Sequence, residues 1–210
     1  MKTEQAFVGA RVVDSYPFSV SGTATQAHAL KASGVDGLIG YLGSMNSARL
    51  GYVLDAGLSF MPVTFAGEYE DGADDELSQL KVLGITPGTT VWLDLEGMKA
   101  WKTPPVELIA KINAWAKKIA GAGYQPGLYI GVPQPLTTDE LAGLAVVRYW
   151  KSGSRIVDRN GKPVEGPGSI GYCMWQMLPQ HNWKDTKVFV DVNIIGQDFR
   201  GRLPSWVVNG

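Results

Sequence analysis

The chain has 210 residues, 45% of them hydrophobic, enough to bury a sizeable core in one domain or at most two. Its formal net charge is -1, so it carries no basic field of the kind that draws a protein to nucleic acid or to an anionic membrane surface. Cys173 is the only cysteine, which excludes an internal disulfide and any multi-cysteine metal site.

The start, MKTEQAFVGARVVD, has an apolar run broken by Gly9 and Arg11 and so lacks the uninterrupted core of a signal peptide. No window approaches the eighteen or so apolar residues of a membrane span. These features predict a soluble chain made in the cytoplasm, beginning directly with folded material. A first strand ends at Asp14. Thr23 or Thr25 then caps a helix that Gly34 closes, and VDGLIGYL is the second strand. Ser47 caps a helix stopped by Gly57, and LSFMPVTF is the third strand. Asp74 and Asp75 complement the dipole of a helix running toward Leu83, and TTVWLDLE is the fourth strand.

Thr103 and Pro104 start the next helix, in which Val106, Ile109, Ile112, Ala116 and Ile119 recur at the spacing of a core-facing stripe. YQPGLYIG is the fifth strand. Beyond it the rhythm changes. TTDELAG holds at most two helical turns before LAVVRYW, and the runs GYCMWQM and KVFVDVNIIG follow with loops between them. SGSRIVDRNGKPVEGPGS carries an Asn-Gly turn signal suited to a hairpin or a rim loop. The fold class this order predicts is α/β, a single TIM-like (β/α) barrel over residues 1-210. Five βα units precede a reduced last third with few or no helices. The tail QDFRGRLPSWVVNG is too short to fold alone.

Barrel strands are buried, so a charged residue near the end of one is costly unless it faces the mouth of the barrel. Asp14 closes the first strand, Asp94 and Glu96 the fourth, Trp175 and Gln176 lie in the seventh, and Asp191 and Asn193 in the eighth. Positions i and i+2 of a strand share one face about 6.5 to 7 Å apart, so Asp94 and Glu96 enter the same site. Two carboxyls at that spacing do not ionise equally easily, which sets a proton donor beside an anion and suits glycoside hydrolysis. Divalent-metal binding is a second use of such a pair, but no histidine is placed to support it: His28 falls in the first helix and His181 in a loop.

Each residue has a structural alternative. Asp94, Asp14 and Asp191 can cap loops, Glu96 can stand in solvent beyond its strand, and Trp175 can be core. Tyr16, Tyr41, Tyr129 and Tyr149 can stack on sugar rings, although strands favour tyrosine in any case. Glu68, Glu70 and Asp71 read as a solvated acidic rim. Convergence of several acids and aromatics on one rim favours a functional site.

The chain resembles the lysozymes of glycoside hydrolase family 25 and the related glycoside-hydrolase-like family of bacterial and phage proteins. Over nearly its whole length the resemblance is carried by VVDSY, YLGS, VWLDLEG, GLYIG, VVRYW, YCMWQM and VDVNIIG, in that order. DSY stands where the lysozymes carry aspartate, a variable residue and serine. TFAGEYE lacks their aromatic and histidine signature, which places the chain nearer the glycoside-hydrolase-like family.

The resemblance implies a glycosidase acting on the β-1,4 linkage between amino sugars of peptidoglycan, without a cofactor or metal and as a monomer. In that reading Glu96 is the general acid and Asp94 its partner, as nucleophile or by orienting the substrate's N-acetyl group. Asp14 and Asp191 line the floor, and Asn193, Gln176, Tyr129 and Trp175 hold the saccharide. Such an enzyme reaches the wall by release or by another export route. A saccharide-binding barrel that no longer cleaves, and a chitinase-like glycosidase, are the alternatives.

Overall fold

The apolar runs read as strands lie side by side in the computed structural model, which describes residues 1–65, 73–164 and 167–210. Lys2–Gln5 forms β1 and Arg11–Asp14 forms β2. The barrel continues through β3 (Gly37–Tyr41), β4 (Ser59–Phe65), β5 (Thr90–Leu95), β6 (Gln125–Ile130), β7 (Arg148–Lys151), β8 (Met174–Asn182) and β9 (Phe189–Ile195). β2 to β8 pair in parallel with their neighbours in chain order, and β9 closes the ring by pairing with β8 and β2. The eight expected strands are therefore β2 to β9.

Three features depart from the expectation. β9 runs antiparallel to both neighbours, so Asp191 reaches the common rim from near the start of its strand rather than the end. The tail supplies a strand, β10 (Ser205–Val208), which pairs antiparallel with β1 and touches β4. His181 belongs to β8 and not to a loop.

The helices follow the capping signals. α1 (Tyr16–Ser21) was not expected; Ser15 caps it, accepting from the Phe18 N–H at 3.1 Å. Thr23 caps α2 (Ala24–Ala32) in a capping box with Gln26, and Asn46, one residue before Ser47, caps α3 (Ser47–Asp55). α4 spans Asp74–Val82 with three acids in its first turn. A short α5 (Gly97–Lys102) follows β5, then α6 (Pro105–Gly121) and α7 (Thr138–Ala142). α6 buries Leu108, Ile112, Trp115, Ala116 and Ile119, whereas Val106, read as part of its stripe, is 82% exposed. Among the described residues no helix is long and apolar enough to cross a membrane.

Two layers of core result. The helices cover the outside of the barrel through Leu38, Leu93, Leu128 and their neighbours. Inside, Val12, Ile39, Met61, Trp92, Trp150, Met174 and Ile195 fill the lumen beneath the rim. Gly127 makes room for the largest of them, since a Cβ there would lie 2.4 Å from the Trp92 ring. This packed plug leaves the rim as the place where polar groups gather.

Candidate active site

Register determines which side chains meet at the rim. Asp94 on β5 is level with Phe65 on β4 and Tyr129 on β6, and Tyr129 is level with Trp150 on β7. Across the closing pair, Asp14 on β2 stands opposite Asp191 on β9. Ser15 fixes this corner: besides capping α1, its hydroxyl donates to the Phe189 carbonyl at 2.7 Å. The result is a cavity of about 340 Å³ lined by Asp14, Tyr41, Asp94, Glu96, Tyr129, Val132, Trp150, Ser152, Ser154, Gln176 and Asp191. All four acids predicted from strand ends line it.

Their environments differ. Asp94 is 3% exposed, and its Oδ1 has no hydrogen-bond partner. Burial drives its carboxyl well above the ordinary range, Glu96 and Asp14 add repulsion, and a hydrogen bond from Tyr41 opposes the rise. Asp14 is also buried, and burial together with Asp191 pushes it from 3.8 to about 8 despite a 2.7 Å bond from Asn193 Nδ2. Glu96 stands at the exposed mouth; partial desolvation and the neighbouring Asp191 raise it as well. The arrangement places a reachable acid, raised above the ordinary glutamate range, over a second carboxyl set deeper in the same wall.

Glu96 is held by what is missing beside it. A Cβ on Gly131, the residue just after β6, would lie 2.4 Å from Glu96 Oε2 and 2.6 Å from Glu96 Cβ. Only a residue without a side chain leaves the carboxyl that place. Opposite, Gln176 Oε1 accepts from the Tyr129 hydroxyl at 3.2 Å and from the Gly153 N–H at 3.4 Å. The Gly153 N–H is an unambiguous donor, which fixes the amide oxygen of Gln176 on this side.

Four predicted binding residues, Tyr149, Trp175, Asn193 and Tyr16, do not line the acid cavity. Tyr149 is fully buried in the outer core, its hydroxyl donating to the Leu141 carbonyl; alternation points it outward and its neighbour Trp150 inward. Trp175 packs on the outer core, over Gly196, while Gln176 faces in. Asn193 is completely buried beneath the floor, where it accepts from Trp150 Nε1 at 2.9 Å and donates to Asp14, so it positions groups instead of touching a ligand.

Tyr16 lines an adjoining cavity rather than the acid one, and Tyr41 lines both. Trp150, Ser152 and Ser154 were missed. Their signal was the parity of β7, in which Tyr149 outward requires Trp150 and Ser152 inward. Glu68, Glu70 and Asp71 lie outside the described residues. His28 is exposed on α2, and Cys173 is buried with its thiol pushed up to about 12. Among the described residues, no group of three or more His, Cys, Asp or Glu side chains is arranged to hold a metal ion.

No family model and no curated protein matches the sequence. Solved structures do match. The bacterial lysozyme of Streptomyces coelicolor superposes with a TM-score of 0.59 at 13% identity, over 93% of this chain and 96% of that one. The catalytic domain of the endolysin Ply40 from bacteriophage P40 of Listeria monocytogenes gives 0.57 at 21% identity, over 91% and 95%. GHIP, a glycosyl hydrolase 25 of Streptococcus pneumoniae participating in host cell invasion, gives 0.56 at 12% identity, over 89% and 87%. The chain has the fold of these proteins. The likeness drawn from the strand-end motifs thus has a counterpart in the fold over nearly the whole chain.

Proposed function

We propose that the protein is a glycosidase that cleaves the β-1,4 bond between amino sugars of bacterial peptidoglycan. The observation that carries this reading is the pair at the end of β5: Asp94 on the strand and Glu96 one residue beyond it, where α5 begins, enter one cavity, both pushed toward the protonated form. Glycoside hydrolysis needs a protonated acid within reach of the leaving oxygen and a second carboxyl near the anomeric centre. Glu96, exposed at the mouth, takes the first role, and Asp94 the second, as nucleophile or by orienting the N-acetyl group. Asp14 and Asp191 shape the charge below them, and Tyr129, Trp150 and Gln176 bound the sugar. A lysozyme, an endolysin catalytic domain and a glycosyl hydrolase share the fold, which supports the same reaction class.

The test is digestion of purified peptidoglycan with the protein, followed by mass spectrometry of the products. Muropeptides with new amino-sugar reducing ends are expected. Wall binding without any released sugar would instead favour the non-cleaving barrel, and release from chitin alone the chitinase-like reading.

A further inference from the structure

Two loops supply part of the wall of the acid cavity: the one after β6 through Val132, and the one after β7 through Ser152 and Ser154. The first also carries Gly131, whose missing side chain leaves Glu96 its place. We propose that Arg159 is a positioning residue for this wall: with Glu140 it ties the two loops to each other, and so sets the width of the cavity and the place of Glu96. The inference rests on the glycosidase reading for what the wall does, and on the geometry alone for the tie.

Beyond Ser154 the chain turns back on itself. Val157 pairs antiparallel with Pro163, the Val164 N–H donates to the Ile156 carbonyl at 3.1 Å, and Asp158 Oδ1 accepts from the N–H groups of Asn160 and Lys162 at 2.8 and 2.9 Å. Arg159 stands at the tip of this hairpin and reaches the other loop at two points. Its guanidinium forks onto both carboxylate oxygens of Glu140, with Nη2 to Oε1 at 2.8 Å, and Nη1 also donates to the Pro135 carbonyl at 2.8 Å. Pro135 lies between Gln134 and Leu136, both fully buried, and the Leu136 N–H donates to the Gln134 side-chain oxygen at 2.8 Å. A hold on Pro135 is therefore carried along an anchored segment back to Val132 and Gly131.

Glu140 is itself fixed. Its Oε2 accepts from the N–H of Thr137 at 2.8 Å and from its hydroxyl at 3.0 Å, closing the capping box of α7. The bond from Arg159, helped by those from Thr137, holds the carboxyl down from 4.5 to about 2, so the fork stays ionic at any higher pH. Exposed ion pairs usually contribute little, but a bidentate guanidinium–carboxylate pair inside a hydrogen-bond network is the exception. Packing does not replace it along this seam: a cavity of about 200 Å³ separates Thr138 and Asp139 on one side from Asn160, Lys162 and Pro163 on the other.

The test compares Arg159→Ala, Glu140→Gln and the double variant with the unsubstituted protein. Glutamine can still close the capping box but cannot form the ionic fork, so it separates the tie from the helix cap. On soluble peptidoglycan fragments each single variant is expected to lower kcat about tenfold with KM changed less than about twofold, and the double variant to lose no more than the worse single one. In hydrogen exchange, amides of residues 131–137 and 152–158 are expected to exchange about tenfold faster in all three variants, with β5 unchanged. Unchanged kcat in the single variants, losses that multiply in the double variant, or faster exchange confined to the hairpin overturns the inference. If the unsubstituted protein releases no reducing ends, the glycosidase reading falls, and exchange at 131–137 still decides whether Arg159 ties the loops.

Discussion

Replacing Asp14 by asparagine is predicted to stabilise the protein, by an amount that grows with pH. In the folded chain burial and the facing Asp191 push this carboxyl from its ordinary value of 3.8 to about 8. The folded protein therefore holds a proton that the unfolded chain releases. Stability from this group is fully present below 3.8 and is lost progressively as the pH rises to about 8. At pH 7 the difference spans about three pH units, and at about 1.36 kcal/mol each this is a handicap of about 4 kcal/mol.

Asparagine removes that handicap while its side-chain oxygen keeps the place that accepts from Asn193 Nδ2. In thermal unfolding followed by circular dichroism, the two proteins should melt within a few degrees of each other near pH 4. By pH 7 to 8 the variant should melt roughly 10 °C higher. Parallel melting curves, with a difference independent of pH, would refute the reasoning and show Asp14 to be ionised in the folded protein.

Gly131→Ala should lower kcat for wall cleavage at least about tenfold with little change in melting temperature, because its methyl group takes the place of the Glu96 carboxyl; unchanged kinetics would mean Glu96 acts from another position. Tyr149→Phe should cost about 1 kcal/mol of stability, through loss of the bond to the Leu141 carbonyl, and leave saccharide binding untouched. Weakened binding would put the ring back in the site. Asn193→Ala should destabilise by about 2 to 4 kcal/mol in denaturant titration, since it strands the buried Trp150 N–H and removes the amide that donates to Asp14. The alkaline limb of the kcat/KM profile, set by proton loss from Glu96, should lie above the ordinary glutamate value of 4.5; a limb at or below it contradicts the raised acid.

Much of the barrel is legible in the sequence because each of its strands is a short apolar run between turn residues, and capping groups mark most helices. The acids at strand ends were legible for a related reason: a carboxyl in such a run has nowhere to go but the mouth. Direction was not legible. Periodicity reads the same both ways along a strand, so β9 gave no sign of running against its neighbours. Facing was hard to read wherever both sides of a strand are buried, as in β7, where Tyr149 and Trp150 look equally apolar and only pairing with Tyr129 shows which one turns inward. β1 escaped notice because KTEQ is polar and mostly exposed, an edge strand with no hydrophobic signature. Gly131 escaped because the use of a missing side chain appears only once its neighbours are in place.

The central claim is that Glu96 delivers the proton that breaks a glycosidic bond, and it is tested most directly by reducing-end release from peptidoglycan by the unsubstituted protein and by Glu96→Gln. The account predicts steady release by the first and a loss of at least about a thousandfold by the second, with both melting at similar temperatures. Equal release by the two proteins would contradict it.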